Sequence, residues 1–153
     1  MRCKGVLGWP TSGHRLISEI VRASTRLTKA ADRFLLPFGL TSAQYDLLLA
    51  LGPNFAGLGH SEAGVRLGVT RANVTGLVRR LEARGLCRVD ARTDDARAKT
   101  VRATPAGARL LARIEAPWNE RVRGFTRLIP ERNQERIAED VSRLEPILRP
   151  AIH

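Results

Sequence analysis

The sequence predicts a mainly α-helical chain with one small β-hairpin, an α+β fold, on three observations. First, Val74, Leu77, Val78 and Leu81 recur at i, i+3, i+4 and i+7, the apolar face of one helix. Thr70 stands before them as an N-cap, Val69 and Val74 are placed to staple the first turn, and Gly85 closes the helix as a C′ residue. Second, the period changes to two after Gly85. Leu86–Asp90 and Thr100–Thr104 are short runs rich in Val and Thr, two strands of a hairpin whose tip is the polar stretch Ala91–Lys99. Third, long segments with helical apolar spacing flank this region on both sides. Just upstream, Ser61–Leu67 followed by Gly68 reads as a short helix with Ser61 as its N-cap. Helix, tight glycine turn, helix and hairpin make a winged helix-turn-helix, the arrangement in which the second helix enters the major groove of DNA.

The remaining elements follow in chain order. Residues 1–13 hold Gly5, Gly8, Pro10 and Gly13 and read as an irregular arm. From His14 to Leu36 the positions Leu16, Ile20, Leu27, Ala31 and Phe34 line one helical face, stopped by Pro37 and Gly39. Thr41-Ser42-Ala43-Gln44 is a capping box with Leu40 and Tyr45 as its staple. The helix it opens runs to Ala50 with Tyr45, Leu48 and Leu49 inward, and Gly52-Pro53 ends it. Asp46 near its start is a favourable charge on the helix dipole. Asn54–Gly59 is a loop. Beyond the hairpin, Thr104-Pro105 supplies an N-cap and a proline at N1. Leu110, Leu111 and Ile114 form a stripe that Pro117 is expected to break or kink, since proline lacks the N–H and collides with the preceding turn. Trp118, Val122, Phe125 and Leu128 resume the stripe, Pro130 marks a boundary, and Ile137, Val141, Leu144 and Leu148 line a last helix.

Charge narrows the choice of partner. The 153 residues carry a net +11 with a hydrophobic fraction of 43%, ordinary apolar content with an unusual excess of cations. Such an excess implies a polyanionic partner, nucleic acid first. No apolar run approaches the ~18 residues a membrane span needs, and the start of the chain does not read as a signal peptide, so a cytoplasmic protein is expected. The two cysteines, Cys3 and Cys87, lack disulfide-framework or metal-ligand spacing. His14, His60 and His153 are scattered, and there is no Walker-type loop and no GxGxxG. An enzyme is not expected, nor a metal or cofactor. Cys87 reads as a small core residue.

The cations are placed as well as numerous. Between residues 71 and 102 stand Arg71, Arg79, Arg80, Arg84, Arg88, Arg92, Arg97, Lys99 and Arg102, against Glu82, Asp90, Asp94 and Asp95. On the second helix, Ala72, Gly76 and Ala83 lie opposite the apolar stripe, edged by Thr75, Arg79 and Arg80. A small-residue face bordered by arginines can press against a polyanion. The residues expected at DNA are Thr70, Arg71, Asn73, Thr75, Gly76, Arg79 and Arg80 on the helix, with Arg92, Arg97 and Lys99 in the wing. Arginine suits bidentate contact with guanine, and helix N-termini suit phosphates. Arg84 and Arg88 are expected to be solvated surface.

At this point the chain resembles the multiple antibiotic resistance regulator (MarR) family of transcription factors. The resemblance rests on Gly39-Leu40-Thr41-x-x-Gln44, Leu67-Gly68-Val69-Thr70-Arg71, Val74-Thr75-x-Leu77-Val78 and Leu81-Glu82-Ala83-Arg84-Gly85-Leu86. It continues in Asp95-Ala96-Arg97 and Val101-x-Ala103-Thr104-x-x-Gly107, with departures at His60, Ala63 and Ala103. It implies a sequence-specific regulator, expected to be a repressor, that binds a pseudo-palindromic operator on double-stranded DNA as a homodimer. Asp95 would orient Arg97 toward the minor groove or its backbone. The implied organisation is an arm at 1–13, a dimerisation region at 14–40 and 105–150, and a DNA-binding lobe at 41–104. Leu16, Ile20, Leu27, Phe125, Ile137, Val141, Leu144 and Leu148 would pair the subunits. A small aromatic or anionic effector would be met by Phe34, Phe38, Tyr45, Asp46 and Trp118. Two other classes fit the composition: a non-specific architectural DNA-binding protein, and a ligand-binding or protein-interaction module with no DNA role.

Overall fold

A computed structural model describes residues 11–52, 57–91 and 99–148. The chain divides into two compact units, residues 1–42 and 43–153. The first holds α1 (Ser12–Leu35) and a 3₁₀ turn (Leu36–Phe38). The Thr11 hydroxyl accepts from the His14 amide at 3.3 Å and caps α1, so the helix starts two residues before the His14 suggested by its apolar pattern. Pro37 lies in the 3₁₀ turn, and Gly39 ends it in the left-handed region at φ 69°, where a side chain would be strained. Asp32 reaches past that turn, its Oδ1 accepting from the Ser42 amide at 2.6 Å.

The second unit carries α2 (Ser42–Leu51, from Ala43 on), β1 (Leu58–Gly59), α3 (His60–Leu67) and α4 (Arg71–Glu82). Then come β2 (Cys87–Ala91), β3 (Lys99–Ala103), α5 (Pro105–Thr126), α6 (Glu131–Ser142) and α7 (Glu145–Leu148). The three strands form an antiparallel sheet in the order β1-β3-β2. Its register pairs Cys87 with Ala103 and Val89 with Val101, and Leu58 with Val101 on the other edge. The expected hairpin is therefore present with a third strand added. Leu58–Gly59, expected to be loop, runs straight into α3, whose N-cap is Gly59 and whose first residue is His60. Ser61 is thus inside the first turn and is not the cap.

The core of this unit is built from Leu47, Leu48, Leu51, Leu58, Ala63, Val74, Val78, Leu81, Cys87, Val101 and Ile114, all buried. In α2 the buried set is Gln44, Tyr45, Leu47, Leu48 and Leu51, whereas Leu49 is 53% exposed. Leu49 was expected inward, but the i, i+3, i+4, i+7 row of this helix starts at Gln44 and misses it.

One junction explains the glycines and threonines on either side of the wing. α4 ends in a Schellman motif: the Gly85 amide donates to the Glu82 carbonyl at 2.8 Å and the Leu86 amide to Leu81 at 3.0 Å, with Gly85 at φ 66°. The Thr104 hydroxyl donates to the Gly85 carbonyl at 2.6 Å and accepts from the Gly107 amide at 3.1 Å, capping α5. A Cβ at Gly107 would collide with the Leu86 carbonyl oxygen. Side-chain-free backbone at 107 is what lets α5 leave so close to the end of α4.

α5 continues through Pro117 without a break, 22 residues in all. The proline costs one backbone hydrogen bond, and the turns on both sides hold the helix together. The last helical segment is two helices, with Leu144 in the turn after α6 and Leu148 in α7. Pro146 falls at the start of α7, where its missing N–H would be unpaired anyway.

Candidate nucleic-acid interface

The face offered by α4 follows from how the helix is buried. Val74 and Leu81 have no exposure, and Val78 and Leu77 are 3% and 8% exposed, so one side of the helix is consumed by the core. Thr70 caps the N-terminus, its hydroxyl accepting from the Asn73 amide at 3.3 Å. Arg71, Asn73, Thr75, Arg79 and Arg80 are exposed on the other side, with Gly76 half-buried among them. All of these lie on one helix, as its spacing predicts. The Thr75 hydroxyl donates to the Arg71 carbonyl at 3.0 Å. A Cβ at Gly76 would meet nothing within 4 Å. The glycine therefore serves no packing purpose inside the protein.

Beside this face lies a cleft of about 360 Å³ lined by His60, Thr75, Val78, Arg79, Glu82, Val89 and Lys99. The start of α3, the side of α4 and the base of the wing meet here. Strand alternation places Lys99 on the same sheet face as Val89 and Val101, which brings it to the cleft with Thr75 and Arg79. Burial first, then the charges of Arg71 and Lys99, holds His60 below its ordinary pKa of 6.5, and Glu82 only partly offsets them. Sequence reading missed His60 and Val89 here, because the cleft joins three elements that no single periodicity connects.

The opposite face of the hairpin is self-satisfied. Asp90 Oδ2 accepts from Arg88 Nε at 3.1 Å and lies 3.4 Å from Arg102 Nε, so the two arginines share one carboxylate, and Arg88 is exposed surface, as expected. Arg92, Asp95 and Arg97 lie outside the described residues. Cys87 is buried, its thiol donating to the Val78 carbonyl at 3.6 Å. Burial, with Glu82 adding to it, pushes that thiol up to about 11.

Four of the five residues considered for an effector fall into two aromatic pairs. In the first unit, the Phe34 and Phe38 rings are 5.8 Å apart. In the second, Tyr45 and Trp118 are 5.7 Å apart and tilted by 56°. Tyr45 is buried and Asp46 exposed. Burial raises the Tyr45 hydroxyl above its usual value, and the charges of Asp46 and Glu115 add to the shift. Among the described residues no group of three His, Cys, Asp or Glu is placed to hold a metal ion, and no single helix is long and apolar enough to cross a membrane.

The three-stranded sheet, the glycine turn at Gly68 and the exposed second helix define a winged helix-turn-helix protein. Residues 38–98, about two fifths of the chain, match the MarR family model. No curated protein matches. Solved structures do. A MarR-family transcriptional regulator from Rhodococcus sp. RHA1 superposes with a TM-score of 0.80 at 20% identity, covering 90% of this chain and 98% of that one. The Mycobacterium tuberculosis transcriptional regulator MOSR, in complex with DNA, is 28% identical with a TM-score of 0.73, covering 86% and 93%. CouR from Rhodococcus jostii RHA1, bound to p-coumaroyl-CoA, gives 0.74 at 23% identity, covering 94% and 96%.

Proposed function

We propose that this protein is a sequence-specific DNA-binding transcription regulator that acts as a homodimeric repressor. The observation that carries the proposal is α4: four core residues on one side, and on the other Arg71, Asn73, Thr75, Arg79 and Arg80 turned to solvent around the half-buried Gly76. Arg71, Thr75 and Arg79 read base edges, the helix N-termini hold phosphates, and Arg80 and Lys99 add charge beside them. Arg92 and Arg97, with Asp95 orienting Arg97, extend the contact from the wing. MOSR was solved with DNA, which supports the same use of the fold here.

Pairing is supported by apolar side chains left in water. Leu16 is 57% exposed, Leu27 50%, Ile137 47% and Leu148 69%, and Phe125 and Val141 are also exposed. Ile20 and Leu144 are half-buried. Residues 14–40 and 105–150 are thus proposed as the dimerisation region, and 41–104 as the DNA-binding lobe. Two such lobes would meet half-sites about one helical turn, ~10 bp, apart. For an effector, CouR with its p-coumaroyl-CoA supports a small aromatic or anionic compound, with Tyr45, Asp46 and Trp118 or Phe34 and Phe38 as its candidate seats. Such a compound must bind the DNA-free protein more tightly than the DNA-bound one.

Selection of bound genomic fragments by the purified protein tests the proposal. An inverted repeat among the recovered sequences is expected. Equal recovery of all fragments would favour an architectural protein, and no salt-dependent DNA binding at all would favour a module without a DNA role. Sedimentation of a monomer at micromolar concentration would remove the homodimer.

A further inference from the structure

The charge of this chain is not confined to the winged lobe. On α1, Arg15, Arg22, Arg26, Lys29 and Arg33 are all exposed. At ~100° per residue they fall within an arc of about 60°, and at ~1.5 Å per residue they run for about 27 Å. The apolar residues Leu16, Ile20, Leu27 and Phe34 occupy the opposite side, so the basic stripe stays open when that side is covered. Glu19 is the only acid on the stripe, and it pairs with Arg22 at 3.4 Å. Asp32 points elsewhere, accepting from the Ser42 amide. Among the described residues, Arg15, Arg26, Lys29 and Arg33 have no acidic partner.

Helix energetics alone disfavours this arrangement. Cations at i and i+4, as at Arg22/Arg26 and Lys29/Arg33, repel each other. The first turn of α1 contains no acid, and Arg15 sits there against the positive end of the helix dipole. α6 handles the same problem differently, alternating Glu131, Glu135, Glu139 and Asp140 with Arg132 and Arg136. A helix that tolerates a continuous cationic line gains from it only when something anionic lies along it.

We propose that the α1 stripe is a second polyanion-binding surface, which docks the phosphate backbone of double-stranded DNA outside the winged lobe. It rests on the DNA-binding reading and deepens it. From Arg22 to Arg33 successive charges are no more than about 6 Å apart along the axis, and a DNA strand offers a phosphate every ~3.4 Å. Arginine supplies four of the five cations, and its planar fork suits phosphate oxygens. The stripe reads no bases, so it adds affinity and salt dependence without adding sequence preference.

The test compares wild type, the triple variant Arg22→Gln/Arg26→Gln/Lys29→Gln, Glu19→Gln and Arg79→Ala on a long random-sequence duplex and on the operator, across salt. The triple variant should lower the log affinity–log salt slope on random duplex by about 2.7, three phosphates at ~0.9 each, while keeping the operator-to-random ratio. Glu19→Gln, which removes the negative charge beside Arg22, should steepen the slope and tighten binding. If circular dichroism finds the triple variant unfolded, Glu19→Gln decides alone. Unchanged slopes in both variants would overturn the proposal. So would an unchanged DNA slope with lost binding to phosphatidylserine vesicles, which would assign the stripe to a lipid surface. Failure of the regulator reading is distinguishable: wild type would then prefer no sequence, and the random-duplex slope would still judge the stripe.

Discussion

Gly76 separates what α4 does for the fold from what it does for DNA. A helix-interior glycine costs about 0.8–1 kcal/mol relative to alanine, and here no atom lies within 4 Å of an added Cβ. Gly76→Ala should therefore stabilise the protein by nearly the full propensity difference, raising Tm by about 2–4 °C for a chain of this size. Leucine is close to alanine in propensity, so Gly76→Leu should stabilise similarly. DNA binding should move the other way. If Ala72, Gly76 and Ala83 press against the duplex, a methyl group obstructs the approach slightly and an isobutyl group severely. Thermal unfolding and fluorescence anisotropy on the same samples measure both effects. Stabilisation with progressively weaker operator binding is expected from glycine to alanine to leucine. Stabilisation with unchanged binding in both variants would mean that this face does not enter the groove.

Gly107→Ala should do the reverse at the wing junction. Its Cβ would overlap the Leu86 carbonyl, so a loss of about 1–3 kcal/mol is expected; a urea midpoint equal to wild type would refute the close approach. His60 makes stability pH-dependent. Its folded pKa lies below the ordinary 6.5, so the unfolded chain takes up the proton first. Stability should be full above pH 6.5 and fall as pH drops from there toward the lowered folded value. His60→Gln should flatten that window, and an unchanged pH profile would contradict the burial and charge assigned to the cleft. In a Cys3→Ser background, Cys87 should resist iodoacetamide at pH 8, because a thiol pushed up to about 11 is almost wholly protonated there. Rapid alkylation of the native protein would contradict its burial.

Local chemistry made much of this fold legible. Thr70, Gly68, Gly85 and Thr104-Pro105 mark helix ends because each satisfies or frees backbone groups within a few residues of itself. The face of α4 was legible for the same reason, since one helix carries both the buried row and the arginines. What depended on distant partners was not. β1 is two residues long, too short for any periodicity, and its strand partner Val101 is more than forty residues away. That pairing displaced Ser61 from the cap position. Pro117 carries a strong breaking signal, yet the turns on either side keep α5 continuous. His60 reached the cleft only because α3, α4 and the wing converge there, and its neighbours in sequence say nothing of Lys99.

The central claim, that α4 reads sequence, is tested most directly at Arg79. Wild type and Arg79→Ala are titrated against the recovered operator and a scrambled duplex of equal length at matched salt. The account predicts a loss of about 1–3 kcal/mol on the operator with a much smaller change on the scrambled duplex, so that preference at the contacted position relaxes. Equal loss on both duplexes would reduce Arg79 to a phosphate contact and contradict the claim.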